Sequence, residues 1–306
     1  MKMRPAHKLK TVTPNLSLVE FSALCAFMIA LVAMSIDIVL PGLGQMGQDL
    51  GAPSANAAQN ILTALFIGLA IGQIIFGPIS DSTGRKAAIY VGTVLFLGGC
   101  LLSYFAKSFE MMLAGRFLQG FGAAGPRIII MAVIRDQYEG RAMARITSII
   151  MGFFILVPMI APSLGQLLML KWSWHILFAF LFIFAILVTA WFSMRQPETL
   201  PQERRRPFTA ASIGKGLWEV VKTRVSFGYT IAAGLIFGAF NCYLISSQQI
   251  FADIFDIHET YALYFGGLAI PIAIAGFLNS VLVMRFGMRS LCRLALYISA
   301  GLSGMF

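Results

Sequence analysis

Nine stretches of mostly apolar residues constrain this chain more than any motif in it: roughly 18–40, 57–78, 87–106, 110–134, 144–170, 173–194, 225–250, 260–284, and from 290 onward. Each is on the scale of a bilayer crossing, which takes about 20 apolar residues in a helix. Lipid offers no partner to a free backbone N–H or C=O, so such stretches must be α-helices. Barrel strands would be about ten residues long and would alternate in polarity. Composition agrees, since 58% hydrophobic residues, 12% charged residues and a mean hydropathy of +0.81 lie far from the balance of a water-soluble domain. The expected fold class is all-α and polytopic.

Lysine and arginine orient the helices. Of 23 basic residues, four precede the first span (Lys2, Arg4, Lys8, Lys10) and two separate the second from the third (Arg85, Lys86). Three follow the fourth span (Arg135, Arg141, Arg145), seven follow the sixth (Arg195, Arg204, Arg205, Arg206, Lys215, Lys222, Arg224) and three follow the eighth (Arg285, Arg289, Arg293). The loops of the other face hold only Lys107 and Lys171. Cytoplasmic loops carry the basic excess, so the N-terminus is expected in the cytoplasm, and the regular alternation supports the count of spans. The net charge of +10 follows from this topology, and no nucleic-acid partner is implied. The first span is too long for a signal peptide and lacks a clear small-residue cleavage site, so it reads as a retained helix. Cys25, Cys100, Cys242 and Cys292 show no paired spacing, which argues against a disulfide framework or a zinc site.

The stretch "RFLQGFGAAGPRIII" (Arg116 to Ile130) contains Gly-x-Gly-x-x-Gly at Gly120, Gly122 and Gly125. A dinucleotide loop needs a strand before it and a helix N-terminus after it, whereas this string lies inside one span. Close helix packing of the small-xxx-small type explains it, with Gly120 and Ala124 as one such pair. Arg116 and Arg127 are eleven residues apart, which at about 100° per residue returns them to nearly one face, about 16 Å apart along the axis. Gln119, Gly120 and Ala123 fall on that stripe. An intramembrane arginine facing lipid costs about 2.5 kcal/mol or more, so the stripe should face protein or a water-filled cavity. Arg116 reads either as a structural ion pair or as a coupling residue. Arg127 reads as a cavity residue or as one that snorkels towards the cytoplasm.

One composition break, Arg195 to Arg224, is rich in charge and proline and separates six spans from three. The expected domains are a six-helix bundle (1–194), a cytoplasmic linker (195–224) and a partial C-terminal bundle (225–306). The loop "GPISDSTGRKAAI" (Gly77 to Ile89) is echoed weakly about two hundred residues later, where Gly287-x-Arg289 parallels Gly84-Arg85. Internal repeats of that kind mark transporters whose halves rock about a central site.

These residues resemble a known family. Gly77, Asp81, Gly84, Arg85 and Lys86 are similar to the cytoplasmic-loop signature of the major facilitator superfamily, and Arg116 to Gly125 resembles its fourth-helix motif. "MSIDIVLPGL" (Met34 to Leu43), "VIRDQYEGRAMARITSII" (Val133 to Ile150) and "PETLPQERRRPF" (Pro197 to Phe208) narrow the resemblance to the Bcr/CflA drug-resistance transporters. The resemblance implies a drug:proton antiporter of the bacterial inner membrane, with small lipophilic drugs and the bilayer as partners, protons as the coupling ion, no other cofactor, and a monomeric state. It implies that the loop signature latches the two halves, with Asp81 capping the family's eleventh spanning helix, which is absent here, and Arg85 pairing locally. Pro158, Pro162 and Gly165 resemble the family's helix-five antiporter motif, although Ala161 and Gln166 stand where the fuller motif has glycine. A kink for packing explains these prolines equally well. The family has twelve helices, and this chain stops within the ninth.

Asp37 is the one carboxylate well inside a span, just ahead of Pro41 and at a depth comparable to Arg116. Burial and a nearby guanidinium pull its charge in opposite directions, which suits a proton exchanged for a substrate. Two readings follow: a proton carrier tuned by Arg116, or a permanently ionised strut between the two. In the seventh span Asn241, Tyr243 and Gln248 read as cavity residues that contact a ligand or else bond other helices. Trp172, Trp174 and His175 read as interface anchors. No zincin motif, nucleophile elbow or phosphate loop points to an enzyme. The expected function is proton-coupled multidrug efflux. The alternatives are a non-transporting truncated remnant and a small-metabolite symporter or facilitator.

Overall fold

Helix boundaries follow local chemistry in the computed structural model, which describes residues 16–255, 261–286 and 288–305. The first helix, α1 (Leu18–Asp37), is capped by Ser17, whose hydroxyl accepts the Glu20 N–H at 3.1 Å. It stops at Asp37 because Pro41 cannot continue the ladder, and the chain passes through a 3₁₀ turn (Leu40–Gly42) into the short α2 (Leu43–Asp49). Next come α3 (Asn60–Thr83) and α4 (Arg85–Tyr104), divided by Gly84 at φ 103°, a conformation that favours glycine. Ser108 caps α5 (Phe109–Gln137) by accepting the Met111 N–H at 3.2 Å. The remaining helices are α6 (Gly140–Met169), α7 (His175–Arg195), α8 (Ala210–Lys222), α9 (Arg224–Asp253), α10 (Tyr261–Phe286) and α11 (Met288–Ser303).

Each interval read as a span holds a helix. Across the described residues, six segments are long and apolar enough to cross a membrane: Leu18–Asp49, Asn56–Thr83, Arg85–Tyr104, Phe109–Gln137, His175–Arg195 and Arg224–Ser247. Shorter apolar stretches lie in α6 (Leu156–Met169) and α11 (Ser290–Ser303). The interval 195–224 is not all loop, because α8 occupies much of it. In sequence Ile213, Leu217 and Val221 recur at helical spacing beside Lys215 and Lys222, an amphipathic pattern that short apolar windows miss. Gly287 of the weak repeat lies outside the described residues, as does the side chain of Arg289.

Packing in lipid lacks a hydrophobic drive between helices, so close backbone approach over small residues has to hold them together. α5 lies between α3 and α4 on that principle. A Cβ at Gly72 of α3 would sit 2.6 Å from the Ala124 Cβ, and one at Gly92 of α4 would sit 2.8 Å from the Gly122 carbonyl oxygen. A Cβ at Gly120 would collide with the Leu65 carbonyl of α3. The three glycines of the dinucleotide-like string therefore serve helix contacts, with Gly125 against Phe76 and Gly92. α1 packs against α5, α6 and α7 and is buried along nearly all its length. α10 lies on α6. The first half of α9 is exposed, and its second half turns Leu244 and Ser247 inward.

Candidate functional site

The ends and faces of these helices enclose a cavity of about 700 Å³, a volume suited to a drug-sized molecule. α1 contributes Val32, Ala33, Ile36 and Asp37; α3 contributes Thr63, Phe66 and Gln73 among others; α5 contributes Arg127 and α6 contributes Pro158. α9 and α10 close it with Phe237, Phe240, Asn241, Tyr243 and Phe265. The wall is mostly apolar, with a few polar groups placed around it. Helices from both sides of the 195–224 interval thus share one chamber.

Asp37 ends α1, is 3% exposed and lines this cavity. It forms no hydrogen bond or ion pair with another described residue. Arg116, wholly buried, does not reach it. Its Nη2 donates to the Ser35 carbonyl at 2.8 Å, its Nε to the Ile61 carbonyl at 3.3 Å and its Nη1 to the Gln119 side-chain oxygen. Its guanidinium carbon lies 5.8 Å from the Phe178 ring centre. The strut geometry considered from the sequence is therefore not formed. Arg116 grips α1 through a carbonyl two residues before Asp37, and so fixes the backbone that carries the acid. Gln119 completes the sealed cluster by donating to Cys100 Sγ at 3.0 Å.

The structure divides the residues expected in the cavity. Arg127, Asn241 and Tyr243 line it. Gln119 and Ala123 do not, because their stretch of α5 is packed against neighbouring helices and buried. The side chain of Gln248 lies outside the described residues. Asn241 donates to the Phe237 carbonyl of its own helix at 2.7 Å, and the Tyr243 ring stacks on Phe265 with 6.3 Å between centres. The neighbouring Gln249 instead ties α9 to the chain before α3, accepting from Gln59 at 2.5 Å and donating to Asn56 at 2.7 Å. Sequence reading overlooked Thr63 and Gln73; a glutamine well inside the apolar α3 was the available signal. Of the helix-five motif, Pro158 lines the cavity and Gly165 lets α6 meet the Ile38 carbonyl. Trp174 is no interface anchor, because it is buried and its indole N–H donates to Asp49 at 2.8 Å. Trp172 remains exposed.

At the basic face a second cluster forms around Gly84. Arg85 pairs with Asp81 at 2.6 Å and with Asp136 of α5 at 2.9 Å, and donates to Ser80 at 2.7 Å. Among the described residues, Asp81 makes this local pair with Arg85. The N-terminus of α4 is capped instead by Glu198, which accepts the N–H groups of Arg85 at 2.9 Å and Lys86 at 3.0 Å. Burial alone would raise the Glu198 carboxyl, but these donors together with the N–H groups of Leu200 and Thr199 hold it below the usual carboxylate range. Lys86 Nζ donates to the Ser193 carbonyl at 2.9 Å, and the Arg206 N–H donates to the Asp81 carbonyl at 2.9 Å. The segment after α7 thus clasps the loop between α3 and α4. A Cβ at Gly77 would meet nothing within 4 Å, so no packing contact demands glycine there.

Comparison with known proteins agrees with this architecture. The model of the Major Facilitator Superfamily matches residues 25–306. An uncharacterized MFS-type transporter of Bacillus subtilis, YdgK, is 33% identical over 271 residues, which are 86% of this chain and 66% of that one. A bicyclomycin resistance protein homolog of Haemophilus influenzae is 29% identical over 89% of this chain and 68% of its own. The multidrug resistance protein MdtL of Klebsiella pneumoniae is 38% identical over 51% of this chain and 40% of its own. The chain thus spans about two thirds of the length of the first two relatives. A crystal structure of a D-xylose-proton symporter shares the fold at a TM-score of 0.67 and 15% identity, covering 88% of this chain and 70% of that one. Buried helices over a shared cavity, the Gly84 loop cluster and these matches agree: the chain is polytopic and all-α across the described residues and belongs to the major facilitator superfamily, alongside relatives named for drug resistance.

Proposed function

We propose that this chain serves proton-coupled export of small lipophilic drugs across the bacterial inner membrane, with its N-terminus in the cytoplasm. The observation that carries this reading is Asp37, a buried acid that lines a largely apolar cavity and forms no side-chain hydrogen bond or ion pair among the described residues. An acid in such a place can hold a proton when the cavity is empty and release it when a drug arrives, which is the exchange an antiporter needs. The relatives named for bicyclomycin and multidrug resistance support drugs as the cargo.

Arg116 is a positioning residue in this scheme, setting the end of α1 through the Ser35 carbonyl. Thr63, Gln73, Asn241 and Tyr243 offer hydrogen bonds to cargo, and the phenylalanines of α3, α9 and α10 offer adaptable apolar surface. The Gly84 cluster, with Asp81, Arg85, Lys86, Asp136 and Glu198, acts as the latch on the cytoplasmic side. The test is drug-evoked proton movement in energised everted vesicles bearing the chain, with cationic, neutral and acidic lipophilic drugs. The parent should release protons on addition of at least one class, and Asp37→Asn should insert equally and release none. Full exchange in Asp37→Asn would overturn the assignment.

A further inference from the structure

The two intramembrane arginines differ in what their donors meet. Arg116 is sealed by two backbone carbonyls and Gln119. Arg127 is half-buried, lines the cavity and makes no hydrogen bond or ion pair with another described residue. Among the described residues it is the one cation that lines the cavity. A guanidinium at membrane depth persists where it faces protein or water, and its planar fork of donors matches a carboxylate with two parallel hydrogen bonds. The rest of the wall gives an apolar body somewhere to lie.

We propose that the cavity selects amphiphilic organic acids, drug-sized molecules with an apolar body and a carboxylate, and that Arg127 is the residue that recognises the carboxylate. This rests on the cavity being the drug site. Asp37 lines the same chamber from α1, yet no ion pair joins it to Arg127, so the guanidinium stays available to cargo. Neutral molecules of the same shape keep the apolar contacts and lose the paired hydrogen bonds.

The experiment compares binding of 1-pyrenebutyric acid and its primary amide to the purified full chain in nanodiscs of zwitterionic lipid, with empty nanodiscs as the blank and no proton gradient. The parent should prefer the acid by about tenfold, the scale of one charge-assisted pair. Arg127→Gln should bring the ratio near one while amide binding stays within twofold, and Arg127→Lys should restore part of the preference. Glu20→Gln, outside the cavity lining and paired with Arg195, should keep the parent's preference. Equal binding of both probes by the parent, binding of neither, or an unchanged ratio in Arg127→Gln would overturn the proposal. Proton exchange is read in vesicles and selectivity here without a gradient, so the two readings fail separately.

Discussion

Arg116 and Arg127 occupy one helix, eleven residues apart, and meet opposite surroundings. The first is wholly buried with its donors placed on Ser35, Ile61 and Gln119. The second opens on a cavity of about 700 Å³. A charge within a membrane protein is tolerated in either setting, but the settings have different uses. A sealed arginine holds helices in register, whereas a cavity-facing one can meet cargo. Asp37 belongs with the second group, although Arg116 is tied to its helix through the Ser35 carbonyl.

The largest expected break is at the sealed arginine. Arg116→Ala removes donors from two carbonyls and Gln119 and should destabilise the protein by about 3 kcal/mol, read as a loss of folded protein in detergent and a lower melting temperature. Arg127→Ala should change stability by under about 1 kcal/mol; a loss as large as that of Arg116→Ala would erase the contrast. Next is the packing beside it. Gly120→Val drives side-chain atoms into the Leu65 carbonyl of α3 and should cost about 2 kcal/mol. Gly77→Ala meets open space and should melt like the parent, so any fall in its transport rate would report on the latch rather than on folding.

Smaller effects belong to the basic face. Glu198→Gln weakens the cap on α4 and should cost about 1 kcal/mol at neutral pH. The folded Glu198 carboxyl lies below its ordinary value of 4.5. Its contribution is therefore complete above that value and is lost as the pH falls through the folded one. The stability gap between parent and Glu198→Gln should narrow on acidification below pH 4.5, and a gap that widens would contradict the cap. Smallest of all, the exposed Glu20 to Arg195 pair at 2.7 Å should be dispensable, and Glu20→Gln should leave the melting temperature unchanged.

Much of this was legible in the sequence, and the gaps have physical causes. Helix positions were readable because a lipid-facing backbone permits little else. The helical period placed Arg116 and Arg127 on one stripe, but it could not show which would be sealed. That depends on carbonyls of α1 and α3, which carry no side-chain signature. The same blindness explains Gln119, which shares the stripe yet turns to Arg116 and Cys100. Glu198 lies within the Pro197 to Phe208 stretch, but the two amides it caps at the start of α4 are more than a hundred residues away. Asp37 was singled out because a lone acid in an apolar span is conspicuous, and that signal does not depend on its neighbours.

The most direct test of the central claim is the proton count on drug binding to purified protein in weak buffer, without a membrane gradient. The uncharged primary amide of 1-pyrenebutyric acid should displace close to one proton per bound molecule from the parent and from Arg127→Gln, and none from Asp37→Asn despite an unchanged fold. Equal proton release from Asp37→Asn and the parent would contradict the claim that the cavity-facing aspartate carries the proton.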